Sequence, residues 1–255
     1  MTKPRIAPGE AAAAAALLAA VAALWWLASH QQWVSKVFLP TPEAALRSLL
    51  EGLSGGELGG YTATTVGRML LGWLCASLLG VVLGALIGSS AAARAWLQPM
   101  LEFLRPLPAS ALLPLAIAIF GLSPGMVLAV VSFGTMWPVL LNTLHGFASV
   151  HVTLREVAQG LQIGRVAFAL QLGLPNALPD ILAGMRLGLT VALIVTVVAE
   201  MVASQPGLGH AILLAARSFR AADLYAGVLL LGLIGFASNA LLALAESRLL
   251  RWQRA

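Results

Sequence analysis

Long stretches without a charged residue alternate along the chain with short polar segments. Asp, Lys and Arg each cost about 2.5 to 3.5 kcal/mol at the centre of a membrane-spanning helix, so charge-free windows of roughly 20 residues indicate candidate spans. This pattern predicts an all-α integral membrane protein with six transmembrane helices. The predicted spans cover about residues 11–29, 67–93, 101–120, 125–146, 181–203 and 224–245.

Two features of the pattern refine these boundaries. The uncharged run of residues 106–154 is too long for one crossing of a bilayer core about 30 Å thick, and the turn signal at residues 121–125 separates the third span from the fourth. The first span follows Lys3 and Arg5, which also resemble the start of a cleaved signal peptide. We expect this span to be retained, because its apolar stretch is longer than a usual signal core.

The composition limits the classes of function. Apolar residues make up 60% of the 255 positions and charged residues only 10%, against roughly 25% charged in a soluble domain, which excludes a soluble enzyme. The net charge of +5 is spread thinly without a basic run, which argues against nucleic-acid binding. The single Cys75 permits no intrachain disulfide, and neither it nor the four scattered histidines form a metal-binding pattern.

Lys and Arg residues set the predicted orientation, because cytoplasmic loops of membrane proteins carry an excess of them. With the N-terminus in the cytoplasm, six spans return the C-terminus to the same side, and the only sizeable internal loop, about residues 149–180, is also cytoplasmic. Residues 43–50 are predicted to form a surface helix on the outside, and Arg68 falls at the border of its span. Eight basic residues then face the cytoplasm and four face the outside: Lys3, Arg5, Arg94, Arg155, Arg165, Arg248, Arg251 and Arg254 within, and Lys36, Arg47, Arg217 and Arg220 without.

The pattern of the internal loop predicts two short helices. Leu154, Val157 and Leu161 share one face of the first helix, and Pro175 and Pro179 are expected to end the second just before the fifth span. A cytoplasmic helix hairpin with a small apolar face is typical of a docking element for another protein. An amphipathic loop that rests on the membrane surface fits the same pattern, and the pattern alone does not choose between them.

Several motifs resemble the permeases of binding-protein-dependent ABC importers. The internal loop carries Glu156-Val-Ala158, a glycine nearby, and Leu174-Pro175 followed by Pro179, which is similar to the EAA loop of that family. The resemblance covers most of the chain from Leu39 onward and is closest to the nitrate, sulfonate and taurine branch. The other segments similar to that branch are Leu39-Pro-Thr-Pro42, Thr65-Val-Gly-Arg68 with Gly72, Arg105-Pro-Leu-Pro108, Leu113-Pro114, Phe120-Gly121, Gly184-Met-Arg186, Ala199-Glu200-Met201 and Gly207-Leu-Gly209.

The resemblance implies a type I importer permease, a single transmembrane domain over residues 1–255 with six spans and a cytoplasmic coupling loop. It implies that two copies of the permease form the pathway, that two cytoplasmic ATPase subunits receive the EAA helices in surface clefts, and that a periplasmic binding protein delivers the substrate. The expected location is the bacterial inner membrane. The chain has no Gly-x-x-x-x-Gly-Lys-Ser/Thr phosphate loop, so ATP and Mg are expected on the partner ATPase, and no cofactor or catalytic residue is expected here.

The resemblance also indicates which residues couple the permease to its ATPase. Small side chains such as Ala158 are expected to allow close docking in the cleft. The family usually has a glycine six residues after the EAA glutamate, but this chain has Gln162, so the turn between the two short helices is expected to differ and the docking angle stays open. The predicted coupling residues are Glu156, Val157, Ala158, Gly160, Leu161 and Gly164.

Charged residues within a span cost free energy unless they are paired or in contact with water, so each suggests a function. Glu102 and Arg105 stand three positions apart and are expected to neutralise each other, with attraction of an anionic substrate by Arg105 as the alternative. Arg186 is expected to reach the cytoplasmic headgroups. Glu200, near the outer end of the fifth span, is expected to form helix–helix hydrogen bonds or a gate contact beside residues 206–209. The predicted pathway or gate residues are Arg105, Arg186, Glu200 and Met201.

Two other classes of transport protein remain open at this point. A secondary transporter could couple to protons through Glu200, and a channel or structural subunit would not need an EAA-like loop, so the loop disfavours both. For the importer, we expect a small anionic solute such as a sulfonate, taurine or nitrate to be moved by alternating access. Organic cofactor precursors compete with these anions within the branch, and no side-chain code in the sequence chooses among them.

Overall fold

The computed structural model describes residues 8–250, without the side chains of Pro8, Glu10 and Ala11. Within that range every regular element is helical. The helices are α1 (Pro8–His30), α2 (Pro42–Ser54), α3 (Leu58–Gly88), α4 (Ala91–Leu104), α5 (Leu113–Phe120), α6 (Pro124–Ala148), α7 (Val152–Gly160), α8 (Arg165–Phe168), α9 (Leu174–Ala203), α10 (Leu208–Arg217) and α11 (Ala221–Leu249), with a 3₁₀ turn at Ala109–Leu112 and a π turn at Ala169–Gly173.

The number of spans agrees with the sequence pattern. Five helices are long and apolar enough to cross a membrane, or six when the bent pair formed by α4 and α5 counts as one span. The prediction of an all-α protein with six spans is therefore confirmed.

The predicted surface helix at residues 43–50 is α2, which begins after Thr41. The side chain of Thr41 accepts a hydrogen bond from the Ala44 N–H. The basic residues Lys3, Arg5, Arg251 and Arg254 lie outside the described residues.

The third span differs from the prediction of one continuous helix over residues 101–120. α4 begins earlier, after Ser90, which caps its first turn, and ends at Leu104. The helix that follows is bent by 79° relative to α4. Pro106 and Pro108 cause the bend, because each lacks a backbone N–H and Pro108 takes an extended conformation with ψ 120°. The charge-free window located the span but carried no information about its shape.

The second helix of the internal loop is not ended by its prolines, which corrects the prediction. α8, the π turn and α9 form one continuous helical segment from Arg165 to Ala203. Pro175 lies in the first turn of α9, two residues after the π turn, and such a local widening of the helix can accommodate a residue without a backbone N–H. Pro179 is also accommodated inside α9. The loop therefore leads into the fifth span without a break.

α3, α6 and α9 pack closely because small residues line their contacts. Gly72, Gly80, Gly84 and Gly88 repeat along one buried face of α3 and lie against α6. A Cβ added at Gly84 would lie 2.6 Å from the Cβ of Thr143, so no larger residue fits there. Such spacing of small residues lets helix backbones approach each other in a membrane. These small residues explain how closely α3 approaches α6.

The bundle has two distinct ends. α2, α10 and the first turns of α3 and α11 gather at one end, here named the α10 end, where Ser48 Oγ donates to Asp223 Oδ1 at 2.6 Å. α7 and α8 lie at the opposite α7 end. α1 is almost entirely exposed and is held at the α10 end by Trp26, whose indole donates to Glu43 Oε1 at 3.0 Å. A backbone hydrogen bond at the start of α2 holds the pKa of Glu43 below its usual range.

Candidate functional site: charged residues of the spans and the α7 surface

Glu200 lies in a fully hydrogen-bonded cluster at the α10 end of the bundle. Its carboxylate is completely buried and accepts hydrogen bonds from Thr65 Oγ1 at 2.9 and 3.1 Å, from Arg68 Nη1 at 3.1 Å and from the Gly209 N–H at 3.0 Å. Arg68 Nη1 also donates to the carbonyl of Pro206 at 2.7 Å. The cluster therefore joins α3, α9 and the start of α10, and it neutralises the one buried carboxylate charge it contains.

Two glycines make room for this cluster. A Cβ at Gly207 would run into the carboxylate of Glu200, and one at Gly209 would run into the carbonyl of Val197. The Leu208 N–H donates to Thr65 Oγ1 at 2.9 Å, so the same threonine serves both Glu200 and the start of α10. The glycine-rich segment is thus shaped by the close approach of backbone to a buried carboxylate.

The expected hydrogen bonding of Glu200 between helices, beside residues 206–209, is confirmed. Its ion-pair partner Arg68 is not predicted by the sequence pattern, which places Arg68 only at the border of a span. A partial signal exists, since Thr65 and Arg68 stand three positions apart and therefore share one helix face. Met201 is half-buried next to Glu200 and contributes no side-chain hydrogen bond to the cluster. A gating role for either residue stays a prediction.

The predicted pair between Glu102 and Arg105 does not form. Glu102 instead accepts a hydrogen bond from Gln98 Nε2, one turn earlier on α4, at 2.9 Å. Arg105 keeps helical backbone angles, and its N–H bonds to the carbonyl of Leu101 at 2.9 Å, so the pair is absent although the backbone leaves both residues on one face of the helix. Within residues 8–250, Arg105 has no ion-pair partner, and its side chain is exposed.

Arg105 lines a cavity between the bend, α6 and α9. The cavity has a volume of about 450 Å³ and includes Trp137 and Asn142 of α6 and Leu187 of α9 in its wall. Of the predicted pathway residues, only Arg105 lines it. In the part of the chain that the structure describes, no three His, Cys, Asp or Glu side chains converge as metal ligands would.

Arg186 pairs with Glu246 of α11, a partner that the sequence did not predict, and its expected extension to the lipid headgroups stays a prediction. The pair connects α9 to the last span near the α7 end, and both side chains remain partly exposed. Charge-free windows could not show this contact, because the two residues are 60 positions apart. Arg186 does not line the Arg105 cavity, although its neighbour Leu187 does.

α7 is attached to its own chain through one face. Arg155 Nη2 donates to the carbonyls of Phe147 and Ala148, at 2.8 and 3.1 Å, at the C-terminal end of α6. Ala158 is only 3% exposed, because it faces inward. The expectation that Ala158 contacts a cleft on another protein is therefore not supported, and its small side chain instead lets α7 lie close to the bundle.

The neighbouring face of α7 is apolar and exposed. Leu154, Val157 and Leu161 share this face as predicted, and Leu161 is 70% exposed. Glu156 is exposed beside Val157. We name the group formed by Leu154, Glu156, Val157 and Leu161 the α7 surface. Gly160 ends α7 and Gly164 lies in the turn after it. Both are exposed, and neither has a side chain that would cover the edge of the α7 surface.

Gln162, which stands in the turn after α7 at the position where the family usually has a glycine, adopts the left-handed backbone conformation. Gln162 has φ 54°, and its N–H bonds to the carbonyl of Gln159 at 2.9 Å. A side chain in this conformation costs about 1 to 2 kcal/mol. Gly164 has φ −63° and does not replace it as the left-handed residue. Gln162 thus supplies the left-handed residue of this turn itself.

Comparison with known proteins gives a consistent family. Residues 76–253 match the family described as "Binding-protein-dependent transport system inner membrane component". A putative aliphatic sulfonates transport permease protein of Bacillus subtilis is 33% identical over 86% of this chain and 80% of its own length. A taurine transport system permease protein of Escherichia coli is 31% identical over 87% of this chain and 82% of its own length. A nitrate import permease protein of Leptolyngbya laminosa is 30% identical over 73% of this chain and 67% of its own length. The helical architecture fits the type I permease fold.

Proposed function

Since the chain belongs to the family of binding-protein-dependent transport system inner membrane components, we propose that it is the pathway-forming subunit of an ATP-driven ABC importer. It carries a small anion from the periplasm to the cytoplasm by alternating access. The relatives named for aliphatic sulfonates, taurine and nitrate support a substrate that bears a small oxyanion group.

The proposed assembly contains two copies of this permease, two cytoplasmic ATPase subunits and a periplasmic binding protein in a bacterial inner membrane. Both termini and α7 face the cytoplasm, in keeping with the distribution of Lys and Arg. ATP and Mg bind to the ATPase subunits, and this chain binds no cofactor of its own.

The α7 surface is the observation that carries this proposal. Exposed apolar residues outside the spans call for a partner, because contiguous apolar patches on a water-facing surface mark interaction sites. A helix that lies on a membrane is typically rich in Lys and Arg on its polar face. The one basic residue of α7, Arg155, is turned towards the carbonyls of α6, and Glu156 is exposed. These features favour an ATPase subunit as the partner over a lipid surface.

The attachment of α7 supports a rigid transmission of movement. Arg155 ties α7 to the last turn of α6, and the segment after the turn runs through α8 and the π turn directly into α9. A displacement of α7 by the ATPase is therefore passed to α6 and α9. These are the two long helices that form walls of the Arg105 cavity. Switching between two arrangements of such packed helices is a known route of conformational change.

Charge substitutions on the α7 surface test the proposal. Val157→Asp and Leu161→Asp place a carboxylate where the ATPase is expected to bury an apolar side chain, so retention of the ATPase during purification should fall more than about tenfold. Gln159→Asp adds the same charge to a different, exposed face of α7 and is the matched control. Because these positions are exposed, none of the three changes should lower the yield of inserted permease.

If Val157→Asp and Leu161→Asp retain the ATPase as well as Gln159→Asp does, the α7 surface is not its binding site. Ala158→Trp is a poorer test, because Ala158 is buried against its own chain and a larger residue would displace α7.

A further inference from the structure

Exposed aromatic and basic residues gather at the α10 end, after the last turn of α1 and before the start of α11. We name this group the Phe219 edge. Its members are Trp33, Lys36, Phe38, Arg217 and Phe219. The three aromatic side chains are 60%, 63% and 67% exposed in chain order, and the two basic side chains are exposed as well. Contiguous apolar groups on a surface mark a site of interaction with a partner outside the chain.

The edge joins two segments that are far apart in the sequence. The ring centroids of Phe38 and Phe219 lie 6.5 Å apart, with the ring planes at 77°. Trp25 of α1 stacks on Tyr225 of α11 at a centroid distance of 5.5 Å, and its indole donates to the carbonyl of Pro40 at 3.0 Å. The end of α1, the segment after it and the start of α11 therefore form one surface.

The backbone of Phe219 is strained in a way that this turn does not require. Phe219 has φ 54°, in the left-handed region. The Arg220 N–H donates to the carbonyl of Ala215 at 2.9 Å, a pattern that ends many helices and usually has glycine at the left-handed position. A residue with a Cβ costs free energy there. Because glycine would suit the fold better, the exposed ring at this position indicates a contact outside the chain.

The position of the edge relative to the spans indicates what it contacts. α1 ends at His30, three residues before Trp33, and α11 begins at Ala221, two residues after Phe219. Both helices are long and apolar enough to cross a membrane. The edge therefore lies where two spans leave the bilayer, at the level where aromatic side chains are enriched in membrane proteins.

The charges of the edge favour an anionic headgroup. Residues 31–39 and 214–222 contain no acidic residue. Arg220 pairs with Asp223 at 3.1 Å, but Lys36 and Arg217 have no ion-pair partner within residues 8–250. Basic residues at the membrane surface attract anionic phospholipids. This combination of rings and free cations differs from the α7 surface, which presents an exposed carboxylate.

We propose that the Phe219 edge binds anionic phospholipid in the leaflet at the α10 end. The rings of Trp33, Phe38 and Phe219 enter the headgroup layer, and Lys36 and Arg217 contact lipid phosphates. This attachment fixes the depth of the segment that joins α1 to α2. The inference does not depend on the importer function. A binding protein that docks on the same edge is the competing occupant, and the test separates it from lipid.

Fluorescence quenching shows which lipid lies at the edge. A bimane probe is attached to Val37→Cys, in a background with Cys75→Ser, and the full chain is placed with its ATPase in lipid nanodiscs. The nanodiscs contain phosphatidylglycerol or phosphatidylcholine with a nitroxide near the top of one acyl chain. We expect the phosphatidylglycerol to reach half-maximal quenching at an about tenfold lower share of the lipid.

Charge variants test the preference for the anionic lipid. Lys36→Gln combined with Arg217→Gln should make the two lipids quench equally, because no free cation of the edge remains. Arg47→Gln is the matched control, since it removes an exposed charge of α2, at the same end but outside the edge. It should leave the tenfold preference unchanged.

A glycine variant tests the role of the ring. Phe219→Gly removes the ring and relieves the backbone, so the chain should fold while quenching by both lipids becomes weaker. Gln32→Gly is the control, because Gln32 is also left-handed, with φ 54°, and lies in the segment after α1. It relieves the backbone without removing a ring and should leave quenching at the wild-type level.

Four results would overturn the inference: no quenching by either lipid, equal quenching by both lipids at the unchanged edge, a preference that survives in the double variant, or wild-type quenching in Phe219→Gly. It is also overturned if added binding protein shields the probe from both lipids, because the edge would then be a docking surface for that protein. The quenching measurements use neither ATP nor substrate, so a failure of the importer function in its own tests leaves them intact.

Discussion

Arg68 and Arg105 both lie within the membrane domain, yet their surroundings are opposite. Arg68 donates to Glu200 and to the carbonyl of Pro206 in a buried cluster. Arg105 lines an open cavity and has no carboxylate partner within residues 8–250. A charge that its own chain neutralises contributes to the fold, whereas a charge without a partner in its own chain is available to a ligand.

The difference also predicts how each region responds to substitution. Removing one partner from a buried pair leaves the other charge uncompensated, which commonly costs about 3 to 5 kcal/mol. Removing Arg105 leaves no group of the described chain without its partner. Stability should therefore depend on the Glu200 cluster, and transport on the Arg105 cavity.

The largest expected effect is that of Glu200→Ala. The change leaves Arg68, Thr65 and the Gly209 N–H without their shared acceptor, so we expect a loss of about 3 to 5 kcal/mol and a melting midpoint lower by on the order of 10 °C. Thermal unfolding of the purified permease–ATPase complex measures it. Glu246→Ala breaks the more exposed pair with Arg186 and should cost less than about 1 kcal/mol. Equal losses of unfolding free energy in the two variants would mean that the Glu200 cluster stabilises the fold no more than the exposed pair does.

Gly207→Ala should produce a smaller loss by a different route. All groups of the cluster remain, but the new Cβ would run into the Glu200 carboxylate, and overpacking of this kind costs about 1 to 3 kcal/mol. Gly232→Ala is the control, because no atom lies within 4 Å of its added Cβ. A melting midpoint for Gly207→Ala that matches the Gly232→Ala value would show that the backbone does not approach the carboxylate so closely.

Arg105→Gln should change stability least. With no partner lost, we expect the free energy of unfolding to stay within about 0.5 kcal/mol of wild type, while uptake of substrate falls. The melting midpoint and the uptake rate of the same preparation check the two parts. A destabilisation as large as that of Glu200→Ala would show that Arg105 has a structural partner, and the contrast with Arg68 would disappear.

The sequence was sufficient for the number of spans and for the location of the α7 surface. Charge-free windows follow directly from the cost of charge in lipid, and the shared face of Leu154, Val157 and Leu161 follows from helical periodicity. Both depend on residues close in sequence. The turn at Gly121, with φ 66°, also agrees with its local signal.

Contacts between segments that are far apart in the chain could not be predicted from a single sequence. Arg68 and Glu200 are 132 residues apart, and nothing in either segment alone reveals their pairing. The inward side of α7 was missed because Ala158 is equally suited to packing against its own chain or against a partner. The bend after Arg105 was missed because the spans were located from charge alone, although Pro106 and Pro108 are visible in the sequence.

We propose that this chain imports its substrate with the energy of ATP hydrolysis. The most direct measurement is uptake into proteoliposomes that contain the permease and its ATPase, with the binding protein outside and its ligand chosen by a thermal-shift screen. We predict accumulation only when ATP is enclosed and the binding protein is present, with no response to a proton gradient, because Glu200 is held by Arg68. Accumulation driven by a proton gradient without ATP would contradict the account.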